Sequence, residues 1–349
     1  MGSECSNINN RQLYIDWLKG FCILLVIMGH VIAWMYSDFD VLLKASSDGF
    51  NLLWKLIYSF HMPLFMFCSG IFIVKPKGWY CLKNVSTVLN KRFCSLVIPF
   101  FCMGGVVSFL SRPLFDYWYL MSLFEFSVIT CVLFYITSKL PMSNSMRSIV
   151  EVIAMIVISL LLEMMESKFS DSKCNLIFKI DHLGLYKYLV LGILYSKFDI
   201  KSIMTDKRYA DFIYTIPLIL YVATFVLKMH GLYFYRISDI CSICAITFIC
   251  SFALNHVDTN SKTSKFICWL GVHSLEIYLL HFFFMTKFYF IGDMTQELFC
   301  SAGISTAFVF QFIMTIVITC VIIFMCYLAM NIFNKSKLLS LICLGRMNK

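Results

Sequence analysis

Apolar runs of membrane-spanning length, separated by short polar stretches, set the pattern of this chain. Measured against the roughly 20 residues that a bilayer core requires, the runs fall at 15–36, 55–74, 93–111, 117–138, 148–163, 182–196, 212–228, 236–254, 266–290 and 305–333. Each is read as a transmembrane helix, because a backbone in hydrocarbon must pair its polar groups internally. The pattern therefore predicts an all-α, polytopic integral membrane protein with about ten transmembrane helices. The fifth and sixth runs are short, the sixth carries Lys187, and either is open to a re-entrant reading. Residues 1–14 read as a short N-terminal segment, 15–333 as the transmembrane domain and 334–349 as a basic tail. No internal repeat is evident, and no soluble domain fits between the runs.

Composition agrees with the pattern. Of 349 residues, 60% are hydrophobic and only 14% charged, with a mean hydropathy of +0.80. That balance excludes an ordinary soluble domain. The net charge of +9 is assigned to loops at the cytoplasmic face and not to nucleic acid. With the N-terminus placed inside, the inside segments hold roughly twice as many Lys and Arg as the outside ones. One inside connection alone carries Lys75, Lys77, Lys83, Lys91 and Arg92. Both termini are accordingly expected in the cytoplasm. The 16 cysteines scatter through apolar runs, and Cys241 and Cys244 form a CxxC inside a predicted helix, where packing is expected. No metal site is expected. No cleavable signal peptide is expected either, and the Met1–Ser6 myristoylation pattern is read as chance in an integral protein.

Within the first run, Asp16, Lys19 and His30 interrupt an apolar helix. Eleven residues at about 100° each bring His30 to within roughly 20° of Lys19, about 16 Å further along the axis. Ionisable groups in a span are functional candidates. Counting along each run places His30, His61 and His281 in the outer half of the membrane, with Asp16, Lys19, Lys91 and Arg92 at an inner, basic level. An imidazole transfers protons at neutral pH, and Lys or Arg holds phosphate. Each candidate also has a plainer role. His30 fits a packed core histidine, Lys19 and Arg92 fit cations snorkelling to headgroups, and Asp16 fits a partner for Lys19. His61 precedes Met62-Pro63, a proline able to kink the span or free a carbonyl for the ring. In a continuous helix Glu276 lies about 140° from His281 and does not orient it, whereas Ser274 shares its face. Glu125, inside the fourth run, needs a partner or a proton at that depth, and orienting a histidine is an alternative role for it. Trp118 suits either sugar stacking or an interfacial anchor.

Five stretches then line up in order: RQLYIDWLKGFCILLVIMGH ending at His30, FHMPLFMFCSG (60–70), KRFCSLVIPF (91–100), WYLMSLF from Trp118, and LGVHSLEIYLLH (270–281). Together they resemble the acyltransferase-3 family of membrane acyltransferases, most closely the stand-alone bacterial sugar and polysaccharide O-acetyltransferases. Lys19 and His30 have the family's spacing of a basic residue, ten residues, then histidine, while Tyr119 replaces the Phe of its Trp-Phe-Leu motif. The resemblance implies acetyl-CoA as donor, bound from the cytoplasm. The acetyl group would pass to a hydroxyl of a cell-surface glycan, such as exopolysaccharide or lipopolysaccharide, or to its lipid-linked precursor. It also implies a bacterial inner (cytoplasmic) membrane location. By the same resemblance His30 is the catalytic histidine and His281 lines the site. Lys19, Arg92 and Asp16 belong to the donor side; His61, Trp118 and Glu125 are candidates for the acceptor side. No fused extracytoplasmic hydrolase-like domain is expected, and residues 140–265 match no family motif. A secondary transporter or lipid-linked glycan flippase, with the His/Lys/Asp stripe as a proton relay, is the rival reading.

Overall fold

Residues 13–36, 52–73, 82–109, 117–169, 180–232, 236–258 and 261–346 are described in a computed structural model. The first twelve residues, with the Met1–Ser6 pattern, lie outside the described residues, as do Lys75 and Lys77 of the basic inside connection. Every regular element among the described residues is a helix. The chain opens with α1 (Leu13–His30), continued as a π-helix over Val31–Tyr36, then α2 (Leu52–Tyr58) and α3 (His61–Ile71). Next are α4 (Leu82–Arg92) and α5 (Ile98–Phe109), joined by the π-helical Phe93–Val97, and α6 (Trp118–Lys139). The middle holds α7 (Asn144–Phe169), α8 (Tyr186–Lys197), α9 (Ile200–Met204), α10 (Ala210–Met229) and α11 (Ile237–Asn255). Last come α12 (Lys262–Val272), α13 (Ser274–Leu280), α14 (Tyr289–Ala302), α15 (Ile304–Phe333) and α16 (Lys337–Leu344).

Among the described residues, eight helices are long and apolar enough to cross a membrane: Leu13–Tyr36, Leu52–Ile71, Val85–Val106, Trp118–Lys139, Asn144–Phe169, Ala210–Met229, Ile237–Asn255 and Ile304–Phe333. Most coincide with the expected runs to within a few residues. The third starts at Val85 and not at 93, so Lys91 and Arg92 lie inside it. The sixth run folds as a 3-10 turn, Ile180–Leu185, followed by α8. At 1.5 Å per residue α8 rises only about 18 Å, short of a hydrocarbon core of roughly 30 Å. The ninth run is not one straight helix. It breaks between α12 and α13 and bends by 68°. His273 ends α12 with its N–H on the Trp269 carbonyl, 3.1 Å away, and its own carbonyl accepts from Ile277 N–H at 3.0 Å. Glu276, three residues on, lies 3.7 Å from the His273 ring, the spacing of a helix N-terminus.

The surface is apolar and parts of the interior are polar, the reverse of a water-soluble protein. On α7, Ile149, Ile153, Leu161 and Met164 are exposed while Glu151 is buried. On α15, Val321 and Phe324 are exposed while Gln311, Thr315 and Thr319 are buried. Lipid tails solvate such an exterior, and the polar groups turn inward to find partners.

The helices form two compact units. One comprises Met1–Met62, Ser202–Ile277 and Met285–Val321; the other comprises Pro63–Lys201, Tyr278–Phe284 and Ile322–Lys349. In the first unit α1 and α12 meet backbone to backbone. A Cβ at Gly20 would fall on the Ile267 carbonyl oxygen, and one at Gly271 on the Asp16 carbonyl oxygen. Glycine at both positions is what lets the helices approach so closely. In the second unit α3 and α8 cross in the same way, with Gly70 against the Leu189 carbonyl and Gly192 against the Phe67 carbonyl. Near the far end of α8, Lys197 Nζ donates to Glu151 at 2.6 Å, and Thr137 Oγ1 donates to the other carboxylate oxygen at 2.9 Å. The buried charge is thereby paired.

Candidate functional site

In the first unit, α1 is the most enclosed of the eight spanning helices. Between Tyr14 and His30 only Lys19, Phe21, Leu24 and His30 escape full burial. Their angles separate them. Phe21 and Leu24 lie about 140–200° around the axis from Lys19, whereas His30 lies within roughly 20° of it. One open side of the helix is therefore apolar and the other carries an ammonium and an imidazole. Asp16, one turn before Lys19, is buried at 4% exposure, and its carbonyl forms the contact with Gly271.

At His30 the α-helix ends and the wider π-helix begins. Just before it, Gly29 leaves room for Tyr58, whose ring would sit 2.9 Å from a Cβ at that position. The Tyr58 ring also packs against Trp54 at 4.4 Å and His61 at 4.6 Å. Through Gly29 and Tyr58 the structure thus brings the turn bearing His30 beside His61.

The surroundings of His61 follow from Pro63. Proline supplies no N–H to the carbonyl four residues earlier, that of Ser59. Ser242 Oγ of α11 donates to it instead, at 2.8 Å. The helix turns at Ser59–Phe60, and His61 Nδ1 meets the Ile57 carbonyl at 2.9 Å. A freed carbonyl was expected to receive His61. The structure gives that carbonyl to Ser242 and His61 to the one two residues before. Because a carbonyl only accepts, Nδ1 carries the proton and Nε2 carries the basic lone pair.

In the second unit His281 has the same tautomer. It is fully buried, and its Nδ1 donates to the Tyr278 carbonyl at 2.7 Å. Phe282 packs on the ring at 4.1 Å. The depth counted along a straight ninth helix does not apply, because the break at His273 redirects the chain; Ser274 and His281 both lie beyond that break, in the piece Ser274–Phe284. Tyr117 OH donates to the Leu279 carbonyl at 2.7 Å, pinning the turn that presents His281. Arg92 lies about 10 Å along its helix from Val85, within the third long helix Val85–Val106. The apolar run starts at 93, but the helix that carries it starts earlier. The guanidinium lies within electrostatic reach of the Tyr119 hydroxyl and the Cys131 thiol on α6. Tyr119 bonds Ser69 Oγ at 2.7 Å, stacks on Phe65 at 4.8 Å and meets the Tyr278 ring edge-on at 5.7 Å.

Trp118 opens α6, with His182 stacked 3.8 Å from its ring centre and Asp181 3.6 Å from His182. One face of the indole is thus occupied by protein. Glu125 lies two turns further along the same face of α6, half-buried. Asp16, Lys19, His30 and His61 accordingly belong to one unit, and Arg92, Trp118, Glu125 and His281 to the other. The tyrosines at 58, 117, 119 and 278, which tie these residues to their helices, were not singled out from the sequence. Tyr119, standing where the family motif has Phe, was the available signal.

The acyltransferase-3 family model, described as an acyltransferase domain, matches residues 12–328. Over 105 residues the chain is 33% identical to nodulation protein NolL of Sinorhizobium fredii (strain NBRC 101917 / NGR234). It is 36% identical, over 105 residues, to nodulation protein NolL of Mesorhizobium japonicum (strain LMG 29417 / CECT 9101 / MAFF 303099). Each match covers 29% of this chain and 26% of the relative, so the chain spans about a quarter of the length of the curated relatives it matches. No solved structure matches significantly.

Proposed function

The chain belongs to the acyltransferase-3 family, and on that premise we propose that it is a membrane O-acetyltransferase moving acetyl from cytoplasmic acetyl-CoA to a hydroxyl of a cell-surface glycan or its lipid-linked precursor. The observation that carries this reading is the polar open side of α1, with Lys19 and His30 on one face of a largely enclosed helix. Lys19 is the cation for the donor's phosphates. The donor supplies a thioester carbonyl. His30 takes the proton of the acceptor hydroxyl as its oxygen attacks that carbonyl. The C–S bond then breaks, and the proton on His30 goes to the departing sulfur. The rise of about 16 Å from Lys19 to His30 is the distance between the anchored phosphates and the reacting bond. His61, with Nδ1 held by the Ile57 carbonyl, presents Nε2 as an acceptor for substrate hydroxyls, and His281 lines the site. Trp118 and Glu125 complete the acceptor side.

In this reading the bent α12–α13 pair and the short α8 segment each count as a crossing. With the eight long helices they make ten, an even number that returns both termini to the cytoplasm of a bacterial inner membrane. The transporter reading draws support from the broken ninth helix, since discontinuous helices build transport sites. Such sites use breaks at matching positions in two repeats, and the bent pair has no counterpart among the described residues.

The test uses purified protein in vesicles loaded with glycan. Labelled acetyl supplied as acetyl-CoA should appear on the glycan, and His30→Ala should abolish transfer while the protein still inserts. Glycan movement without any acetylation would instead establish the transporter.

A further inference from the structure

We propose that Thr315 and Gly292 are positioning residues for His30, acting through Tyr36 at the end of the π-helical extension. The inference rests on the reading of His30 as the base. A π-helix is rare in isolation and is commonly found at functional sites. Here six residues, Val31–Tyr36, form one immediately after His30, so whatever holds the extension also sets where the last α-helical turn points.

Three ties hold it, all within the first unit. Phe288 N–H donates to the Met35 carbonyl at 2.7 Å. Gly292 on α14 lies against the Tyr36 backbone so closely that a Cβ there would fall on the Tyr36 carbonyl oxygen. The Tyr36 hydroxyl bonds Thr315 Oγ1 on α15 at 3.2 Å, both groups being buried. Thr315 belongs to a polar stripe with Gln311 and Thr319, each four residues from the next on one face of an otherwise apolar helix. Among the described residues Gln311 Oε1 and Thr319 Oγ1 meet no hydrogen-bond partner, although both residues are at least 98% buried. The stripe therefore does not serve general polar satisfaction. Its central member meets Tyr36, and that contact ties α15 to the extension beyond the histidine. Tyr36 lies less than about 10 Å along the helix from His30, and a misplacement of about 1 Å at a reacting group lowers turnover about 100-fold.

The experiment measures acetyl transfer by Thr315→Val, Thr315→Ser, Tyr36→Phe and Gly292→Ala protein in vesicles. Thr295→Val is the control, because among the described residues the buried Thr295 hydroxyl bonds its own helix, at Ile291. Thr315→Val and Tyr36→Phe should lower kcat about tenfold with KM for acetyl-CoA unchanged. Thr315→Ser should restore it, and Gly292→Ala should lower kcat by up to about 100-fold. If Gly292→Ala fails to fold, the Thr315 and Tyr36 variants decide. Unchanged kcat in Thr315→Val overturns the inference. So does a loss matched by Thr295→Val and explained by less folded protein. Either result leaves the reading of His30 standing, provided His30→Ala is inactive; an active His30→Ala removes that reading itself.

Discussion

Replacing Gly271 by alanine isolates the contact that holds the donor end of α1. By propensity alone the change favours a helix, since glycine costs up to about 1 kcal/mol relative to alanine. The packing predicts the opposite sign. The new Cβ would fall on the Asp16 carbonyl oxygen, a backbone atom that cannot rotate aside. α1 and α12 must part instead, by more than about 1 Å, and overpacking of this kind costs about 1–3 kcal/mol. Subtracting the propensity gain leaves a net destabilisation of about 0–2 kcal/mol. Asp16 is one turn from Lys19, so the same displacement moves the donor cation, and turnover should fall about 10- to 100-fold. Thermal unfolding in detergent and acetyl transfer in vesicles measure the two effects. Gly20→Ala, which would strike the Ile267 carbonyl, should behave alike. A Gly271→Ala protein as active as the parent, with an equal or higher melting temperature, would refute the reasoning.

Two further outcomes follow from buried polar groups. His61→Ala removes the donor to the Ile57 carbonyl and the ring packed on Tyr58, and should lower unfolding free energy by about 2–3 kcal/mol; an unchanged denaturation midpoint would show that the carbonyl finds another donor. Lys197→Ala strands the Glu151 carboxylate, whose side chain is only 4% exposed, and should cost about 3–5 kcal/mol. In the same unfolding assay the Glu151→Gln/Lys197→Met double variant should recover much of that loss, and a double variant worse than the single one would contradict the pairing.

Much of this architecture is readable from hydropathy, because a helix in lipid must be long, apolar and internally bonded. The runs 15–36, 117–138, 212–228 and 305–333 lie close to the helices Leu13–Tyr36, Trp118–Lys139, Ala210–Met229 and Ile304–Phe333. Errors arise where an apolar stretch hides a change of direction. LGVHSLEIYLLH reads as continuous helix, yet His273 ends one helix and Glu276 marks the start of the next. The hydrophobic run begins after Arg92, whereas the helix that carries it begins earlier, at Val85. Pro63 pointed to a freed carbonyl, but which group would fill it depended on Ser242, 183 residues away. Gly20 with Gly271, and Gly70 with Gly192, are invisible as pairs in one sequence, since a glycine shows that a close approach is possible and not to what. The stripe of Lys19 and His30 was legible because both lie on one helix, where spacing alone determines the face.

The division of labour along that stripe is the central claim, and steady-state kinetics with acetyl-CoA test it most directly. Lys19→Met should raise KM for acetyl-CoA about tenfold or more with kcat little changed, as expected for loss of one charge-assisted phosphate contact. His30→Gln should lower kcat by about 100-fold or more at unchanged KM, as expected for loss of a general base. Comparable kcat for His30→Gln and the parent, or a KM effect confined to His30, would contradict the assignment of donor binding and proton transfer to opposite ends of α1.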